Sequence, residues 1–276
     1  MKVGIIGLGL IGGSIAKAIK QNTDNTVYGT DIVESVIYKA QLLEAIDGKL
    51  EEDMICGCDL IIIALYPKDT IDFIKSHADQ FKVGSIILDC CGVKDIICET
   101  VKPIAEEKGF TFIGAHPMAG IEYSGFEHSK KSLFKNASMV LTPFTNTKIE
   151  IMDKLKKLLV ALGFTNVQIA SPKEHDKIIA FTSQLAHVVS SAYIKSPTAE
   201  KHNGFSAGSY KDLSRVAKLN EDMWTELFLL NNENLVFEID CIIEKLSQYR
   251  NAIKDSNEKE LWNLLNEGTE RKISIG

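Results

Sequence analysis

The sequence predicts an α/β protein with a doubly wound sheet in its first half and an all-helical second half. In the first half, short apolar segments alternate with segments of helical spacing, which is typical of a mostly parallel sheet covered by helices. After residues 170–172 (ASP) no convincing strand pattern remains. We therefore expect two domains, a sheet domain over residues 1–171 and a helical domain over residues 172–276.

The apolar segments of the first half predict strands in order along the chain. We expect strands at residues 2–6, 26–30, 59–65, 85–90 and 110–115, and near 138–142 and 166–170. We expect helices at residues 13–21, 34–45, 68–79 and 93–108. The segment 59–65 (DLIIIAL) is a continuous apolar run, which favours a strand buried on both faces.

The second half predicts long helices with many apolar positions. Residues 173–195 have helical spacing, and residues 196–209 form a polar, glycine-containing break. Residues 210–254 and 257–272 are helical again, the latter after Asp255 and Ser256. Because so small a helical domain has too many apolar positions to bury alone, we expect it to form a homodimer.

Composition excludes several classes of protein. The chain has 276 residues, a formal net charge of −6 and 45% apolar residues, so it can bury large cores and is not disordered. The mild acidity argues against nucleic acid as a partner, and no apolar run is long enough for a membrane span. The N-terminus has glycines at motif spacing instead of a signal-peptide pattern, so we expect a cytoplasmic protein. The six cysteines lack zinc spacing, and we expect reduced thiols and no metal site.

The segment G-L-G-L-I-G (residues 7–12) follows a predicted strand and begins a predicted helix, and Asp31 comes 19 residues after Gly12 at the end of the next strand. This is the full context of the dinucleotide-binding fingerprint of a Rossmann-type domain. The helix N-terminus would offer free N–H groups to the pyrophosphate, and Asp31 would bind the ribose hydroxyls and repel a 2′-phosphate. We therefore expect NAD as the cofactor. The expected contacts in this turn are Gly7, Leu8, Gly9, Leu10, Ile11 and Gly12.

Two further loops and one histidine lie at the same edge of the predicted sheet. The loops are residues 64–69 (ALYPKD) and 89–95 (DCCGVKD), and His116 ends a predicted strand in the segment GAHPMAG. Ligands of doubly wound sheets bind outside the carboxyl ends of the strands, so we expect these residues to share one crevice. The further expected cofactor contacts are Leu65, Tyr66, Pro67 and Gly92.

Four segments together resemble the prephenate dehydrogenase family, with arogenate dehydrogenase as its close relative. They are GLGLIGGS (7–14), HPMAGIEYSG (116–125), SQLAHVV (183–189) and GSYKDLSR (208–215). The resemblance covers nearly the whole chain. It implies a nucleotide-binding domain followed by a helical dimerisation domain. It also implies NAD-dependent oxidative decarboxylation of prephenate to 4-hydroxyphenylpyruvate, a step of tyrosine biosynthesis.

The resemblance also implies roles for individual residues. His116 matches the family's catalytic histidine, whose pKa near the working pH suits a base for the substrate hydroxyl. Arg215 matches the arginine that binds a substrate carboxylate, and His187 matches a second substrate-site histidine, although a packing role for His187 stays open. Ser183 and Gln184, within one helical turn of His187, would add hydrogen bonds.

Other positions match or depart from the family pattern. Glu122 and Asp212 resemble a pair that gates the active site, with solvated surface acids as the alternative. Trp224 is either an apolar wall of the site or an ordinary core residue. Gly92 stands where the family commonly has a serine that orients the catalytic histidine, so its hydroxyl must be replaced by another group. Gln184 stands where many members have histidine, so this position cannot titrate.

Alternative functions remain at this stage. Arogenate dehydrogenase is the nearest, because Gln184 beside His187 could suit an ammonium-bearing side chain. A β-hydroxyacid or pyrroline-carboxylate reductase would lack the HPMAG and KDxxR segments, and an idle NAD sensor would have no need for His116. We expect neither a fused chorismate mutase nor an appended amino-acid-sensing domain, and inhibition by tyrosine would have to act in the active site.

Overall fold

The computed structural model describes all 276 residues and contains one eight-stranded sheet and eleven α-helices. The strands are β1 (Lys2–Ile6), β2 (Thr26–Thr30), β3 (Gly48–Lys49), β4 (Leu60–Ile63), β5 (Ile86–Asp89), β6 (Thr111–Met118), β7 (Ser138–Pro143) and β8 (Asn166–Ile169). The helices are α1 (Leu10–Asn22), α2 (Glu34–Leu42), α3 (Pro67–His77), α4 (Asp95–Lys108), α5 (Ile149–Ala161), α6 (Pro172–Ile179), α7 (Ala186–Tyr193), α8 (Gly208–Ser214), α9 (Glu221–Leu230), α10 (Asn232–Lys254) and α11 (Glu258–Ile275).

The sheet has the predicted doubly wound topology. Its strand order is β3-β2-β1-β4-β5-β6-β7-β8, and all pairs are parallel except β6 with β7. The strand order reverses between β1 and β4, so the crevice at their carboxyl ends is the position at which such sheets bind ligands. The two-residue strand β3 was not predicted, because two residues carry no periodic signal.

The sheet is covered on both faces, as the continuous apolar run in β4 predicts. Leu60 and Ile62 belong to a core cluster of 27 buried residues on one face, whereas Ile61 and Ile63 belong to a cluster of 19 on the other. The second cluster includes Leu227 of α9. The helical half therefore contributes to the core of the sheet half.

The helical half begins directly after the sheet. β8 ends at Ile169 and α6 begins at Pro172, near the predicted boundary at residue 171. A π-helical segment, Ala180–Leu185, joins α6 to α7. The predicted helical stretch 210–254 is divided into three helices, because asparagines interrupt it: the Asn220 side chain accepts a hydrogen bond from the Met223 N–H and begins α9. No helix is both long and apolar enough to span a membrane.

Two carboxylates of the helical half hydrogen-bond to helix N-termini of the sheet half. Asp176 accepts hydrogen bonds from the backbone N–H groups of Lys94 (2.8 Å) and Asp95 (2.9 Å), at the start of α4. Glu226 accepts one from the N–H of Lys68 (2.6 Å), at the start of α3. Free N–H groups at a helix N-terminus favour a negative charge, so both contacts stabilise the interface between the two halves.

Candidate active site

The turn between β1 and α1 has the geometry that a dinucleotide needs. Gly7 has a φ of +85°, and a Cβ there would lie 2.6 Å from the Ala64 carbonyl oxygen. A Cβ on Gly12 would lie only 1.9 Å from the Gly7 carbonyl oxygen, whereas a Cβ on Gly9 would meet nothing within 4 Å. Gly7 and Gly12 thus allow close packing, and Gly9 leaves open space in front of the helix N-terminus. A pyrophosphate fits this space.

The side chains of this turn differ in their exposure. Leu8 is fully buried in the core, so it can contact a cofactor only through its backbone, whereas Leu10 and Ile11 are half-buried. The Asp31 carboxylate braces the turn by accepting hydrogen bonds from the Leu8 N–H (2.8 Å) and the Val33 N–H (2.9 Å). Because each carboxylate oxygen can accept more than one hydrogen bond, Asp31 keeps capacity for a ribose hydroxyl.

The loop after β4 leads into α3 and is held at the interface. Pro67 is buried at the first position of α3, Leu65 is half-buried, and Tyr66 is 40% exposed. The bond between Glu226 and the Lys68 N–H fixes the start of this helix against α9. These three predicted cofactor contacts therefore lie between the glycine turn and the helical half.

His116 lies near the end of β6, beyond the last residue of that strand that pairs with β5, Ile113. The imidazole is half-buried, and its Nε2 makes no hydrogen bond within the chain. Burial, the neighbouring His175 and the Lys94 ammonium together hold the pKa of His116 well below its usual range. His116 is therefore neutral near pH 7 and can accept a proton.

Two buried residues on α6 extend a chain of hydrogen bonds from His116, and the sequence analysis missed both. His116 Nδ1 lies 2.9 Å from His175 Nε2, and His175 Nδ1 lies 2.7 Å from Asp176 Oδ1. His175 and Asp176 are each 2% exposed. A signal was present in the sequence: both lie on the same helix face as the buried Ile179 and Ala180, where polar side chains are rarely buried without a partner.

A second buried pair holds the loop after β5. The Lys94 ammonium bonds to the Asp89 carboxylate, and both side chains are fully buried. Asp89 also accepts hydrogen bonds from the N–H groups of Cys91 (2.9 Å) and Ala115 (3.0 Å), which ties the loop to β6. Burial would lower the pKa of Lys94, but the Asp89 carboxylate, together with the nearby Cys91 and Cys98, outweighs burial and raises it. The ammonium thus stays charged close to His116.

Gly92, in the same loop, adjoins both His116 and the helical half. A Cβ on Gly92 would lie 3.9 Å from His116 Cε1 and 3.4 Å from Leu227 Cδ2. Gly92 supplies no hydroxyl, and the side chain that hydrogen-bonds to His116 is that of His175.

The predicted substrate residues of the helical half lie near α9, whose Leu227 adjoins Gly92. Trp224, one turn before Leu227 on α9, packs against His187 with ring centroids 4.0 Å apart. His187 Nδ1 donates to the Val216 carbonyl oxygen (3.0 Å), and burial and the nearby Arg215 charge lower the pKa of His187. His187 is therefore neutral with a free Nε2. The exposed Arg215 ends α8 and brings a positive charge to this side of the interface.

Gln184 has a different environment from the one expected of a substrate contact. It is 1% exposed, its amide nitrogen donates to the Leu227 carbonyl oxygen (3.2 Å), and its amide oxygen accepts from Asn231 (2.8 Å). Gln184 therefore connects the π-helical segment to α9 and α10 instead of presenting its amide to the crevice. Its neighbour Ser183 is half-buried in the same segment, and irregular helices of this kind often occur at functional sites.

The two acids predicted as a gate are both exposed. Glu122 lies in the loop after β6 beside Tyr123, whose pKa it raises by accepting a hydrogen bond. Asp212 lies on α8, three residues before Arg215. Neither carboxylate forms an ion pair within the chain. Both are free to bind a cation or to reach a partner chain.

Comparison with known proteins identifies the family. The family profile for the prephenate dehydrogenase nucleotide-binding domain matches residues 15–167, and the profile for the prephenate dehydrogenase dimerization domain matches residues 171–267. Prephenate dehydrogenase of Lactococcus lactis is 33% identical over 279 residues, covering 97% of this chain and 75% of the relative.

Solved structures give the same result. Prephenate dehydrogenase of Aquifex aeolicus, in complex with hydroxyphenyl propionate and NAD+, superposes with a TM-score of 0.88 at 27% identity, covering 100% of this chain and 98% of the other. Synechocystis arogenate dehydrogenase superposes with a TM-score of 0.84 at 25% identity over the full length of both chains. On this sequence and structural evidence, the chain is an oxidoreductase that belongs to the prephenate dehydrogenase family.

Proposed function

We propose that this chain catalyses the NAD-dependent oxidative decarboxylation of prephenate to 4-hydroxyphenylpyruvate. The observation that carries the proposal is His116, a neutral histidine with a free Nε2 at the edge of the sheet that also holds the open glycine turn, three strands away. A base at this point can take a hydroxyl proton while the hydride leaves the same carbon. The A. aeolicus relative was solved with NAD+ and an aromatic propionate, which supports this pair of ligands.

NAD would bind over the glycine turn. The open space at Gly9 and the N-terminus of α1 suit the pyrophosphate, and Asp31 suits the adenosine ribose. The Asp31 carboxylate would repel a 2′-phosphate, so NAD is preferred over NADP. Bound NAD supplies the hydride acceptor. Leu65, Tyr66, Pro67 and Gly92 would line the nicotinamide end.

His116 would act as the base. As the hydroxyl-bearing ring carbon loses its hydride, the hydroxyl proton moves to His116 Nε2, and the carbon becomes a carbonyl. The bond to the ring carboxylate then breaks, carbon dioxide leaves, and the electron pair makes the ring aromatic. The carbonyl oxygen becomes the phenol by taking back one proton. No net proton is released, so His116 returns to its neutral form.

Arg215 and His187 would hold the substrate. A guanidinium can bind a carboxylate with two parallel hydrogen bonds, and the free Nε2 of the neutral His187 can accept one hydrogen bond. Trp224 packs against His187 with the two rings tilted by 46°, and Ser183 is close enough in sequence to add a hydroxyl. Glu122 and Asp212 would close the site, alone or with a partner chain.

The test is NADH formation from prephenate, followed by absorbance, in the wild type and in His116→Asn. The wild type should turn over, and the variant should bind NAD normally while losing about 100-fold or more of kcat. His77→Phe is a matched control, because His77 lies at the C-terminal end of α3, away from the glycine turn. Near-normal turnover by His116→Asn would refute the role of His116.

Arogenate is the second candidate substrate, and the Synechocystis relative named for it supports this alternative. Arogenate carries an ammonium where prephenate carries a keto group, and the unpaired Glu122 or Asp212 could bind it. Steady-state kinetics with both substrates under one set of conditions separates the alternatives. A kcat/KM higher for arogenate would reverse the assignment.

The dimerization-domain profile supports a homodimer through the helical half. Apolar side chains lie exposed along α10 and α11, including Phe237 (60%), Leu246 (59%) and Trp262 (65%). Such exposure is unusual for a monomer and favours burial against a second copy. A stable monomer in sedimentation at micromolar concentration would refute this. All six cysteines are free, which suits a cytoplasmic location.

A further inference from the structure

Three side chains form a hydrogen-bonded chain that ends at the free nitrogen of His116. Asp176 bonds to His175 at 2.7 Å, and His175 bonds to His116 at 2.9 Å. The His116 and His175 rings are tilted by 63° with centroids 5.1 Å apart. Because both residues on α6 are buried, water does not compete for these hydrogen bonds.

The direction of each hydrogen bond follows from Asp176. An ionised carboxylate can only accept, and Asp176 already accepts from the N–H groups of Lys94 and Asp95. His175 Nδ1 must therefore donate, and in the singly protonated ring His175 Nε2 is an acceptor. His116 Nδ1 must then donate to it. The neutral His116 consequently carries its proton on Nδ1 and a lone pair on Nε2, the nitrogen without a partner in the chain.

We propose that His175 and Asp176 are positioning residues that fix His116 in the tautomer with an unprotonated Nε2. The inference rests on the proposed function for the identity of the proton donor. A free imidazole favours the opposite tautomer, with its proton on Nε2, which would block the base. His175 prevents this by occupying Nδ1.

The pair also explains how the chain functions without a side chain at Gly92. The loop after β5 passes beside His116 Cε1 but offers only backbone at that position. Orientation of the imidazole then depends on Nδ1 alone. His175 is the only residue whose side chain hydrogen-bonds to His116.

The surrounding charges fit this role. From the start of α4, the Lys94 ammonium acts on His116, but it is paired with Asp89 of β5. From α6, His175 hydrogen-bonds to His116, and Asp176 hydrogen-bonds to His175. No proton needs to leave His116 Nδ1 during the reaction.

The experiment combines nuclear magnetic resonance with two variants at one position. Proton–nitrogen correlation of histidine rings in the cofactor-free protein reports which nitrogen of His116 carries the proton, and His116→Asn assigns its signals. His175→Phe removes the acceptor at nearly constant volume. His175→Gln restores an acceptor, because a glutamine amide oxygen can occupy the position of the imidazole Nε2. Both variants lose the bond to Asp176, so they are matched.

The expected result has three parts. Wild-type His116 is protonated at Nδ1, and His175→Phe shifts the proton towards Nε2. His175→Phe lowers kcat about 10- to 100-fold, and His175→Gln recovers most of this loss. The KM for NAD changes less than about twofold in both, because neither residue lies at the glycine turn.

Two outcomes would overturn the inference: a wild-type His116 protonated at Nε2, or a His175→Phe protein with unchanged tautomer and kcat. If His175→Phe does not fold, the wild-type tautomer and the kcat of His175→Gln still decide it. A tautomer that shifts as expected while kcat stays unchanged would contradict His116 as the base and leave the positioning role intact. The two proposals can therefore fail separately.

Discussion

Adding one methyl group at two nearby glycines of the turn should have different consequences. At Gly12 it should lower the stability of the fold, and at Gly9 it should weaken NAD binding. Gly12→Ala would place a Cβ 1.9 Å from the Gly7 carbonyl oxygen and 3.1 Å from Ala64 Cβ. Relief of that contact requires α1 to move by about 1 Å from the turn, and both close atoms of Gly7 are backbone and cannot rotate away. We expect a loss of about 3 kcal/mol or more in the free energy of unfolding.

Gly9→Ala should behave differently, because its Cβ would meet nothing within 4 Å. Gly9 has a φ of −71° in extended backbone at the N-cap of α1, outside the left-handed region that favours glycine. The free energy of unfolding should change by less than about 1 kcal/mol. The methyl group would occupy the space proposed for the pyrophosphate, so NAD affinity should fall about 10- to 100-fold, which is about 1.4 to 2.8 kcal/mol.

The assays are urea unfolding for stability and calorimetric titration for NAD. Gly57→Ala is the control, because it also adds a methyl group in open space, in the segment that precedes β4, at the opposite edge of the sheet. A Gly9→Ala protein that binds NAD like the wild type would refute the position of the pyrophosphate. A Gly12→Ala protein as stable as the wild type would refute the packing argument.

Three further predictions concern substrate, cofactor and pH. Arg215→Lys should raise the KM for prephenate about 10- to 100-fold with a smaller effect on kcat, because lysine cannot form two parallel bonds to a carboxylate. An unchanged KM would exclude Arg215 from the substrate site. Asp31→Asn should reduce the preference for NAD over NADP about tenfold, because the charge that repels a 2′-phosphate is lost. The preference is measured as the ratio of the two kcat/KM values, and an unchanged ratio would contradict the role of Asp31. Because the pKa of His116 is lowered in the folded protein, the unfolded chain binds more protons than the folded protein just below pH 6.5. The free energy of unfolding should therefore fall as the pH drops below 6.5. Urea unfolding at pH 5 and pH 7 should show a smaller loss in His116→Asn than in the wild type.

The parts of the site that the sequence predicts are those built from local segments. The glycine turn and Asp31 lie within 25 residues, and turn, helix start and strand end each leave a signal in that short stretch. His116 was found through its position at a strand end. The match of each side chain to a role in the reaction stays a prediction.

The parts that the sequence analysis missed depend on contacts between distant segments. His175 follows His116 by 59 residues, and nothing near either residue indicates that they meet. Gln184 was expected at the substrate because it neighbours His187 in sequence. The π-helical segment changes the direction of successive side chains, and Gln184 is directed into the interface with α9 and α10. Irregular helix geometry of this kind has no clear sequence pattern.

The carboxylates of Asp176 and Glu226 have a consequence for how the chain unfolds. Each belongs to the helical half but hydrogen-bonds to a helix N-terminus of the sheet half, and Leu227 lies in the core of the sheet half. Loss of the helical half would leave the start of α3 and the start of α4 without these acceptors and open a gap in the apolar core. The two architectural domains should therefore melt as one cooperative unit. A calorimetric scan should show a single transition, and a sheet fragment ending near residue 170 should be much less stable than the whole chain.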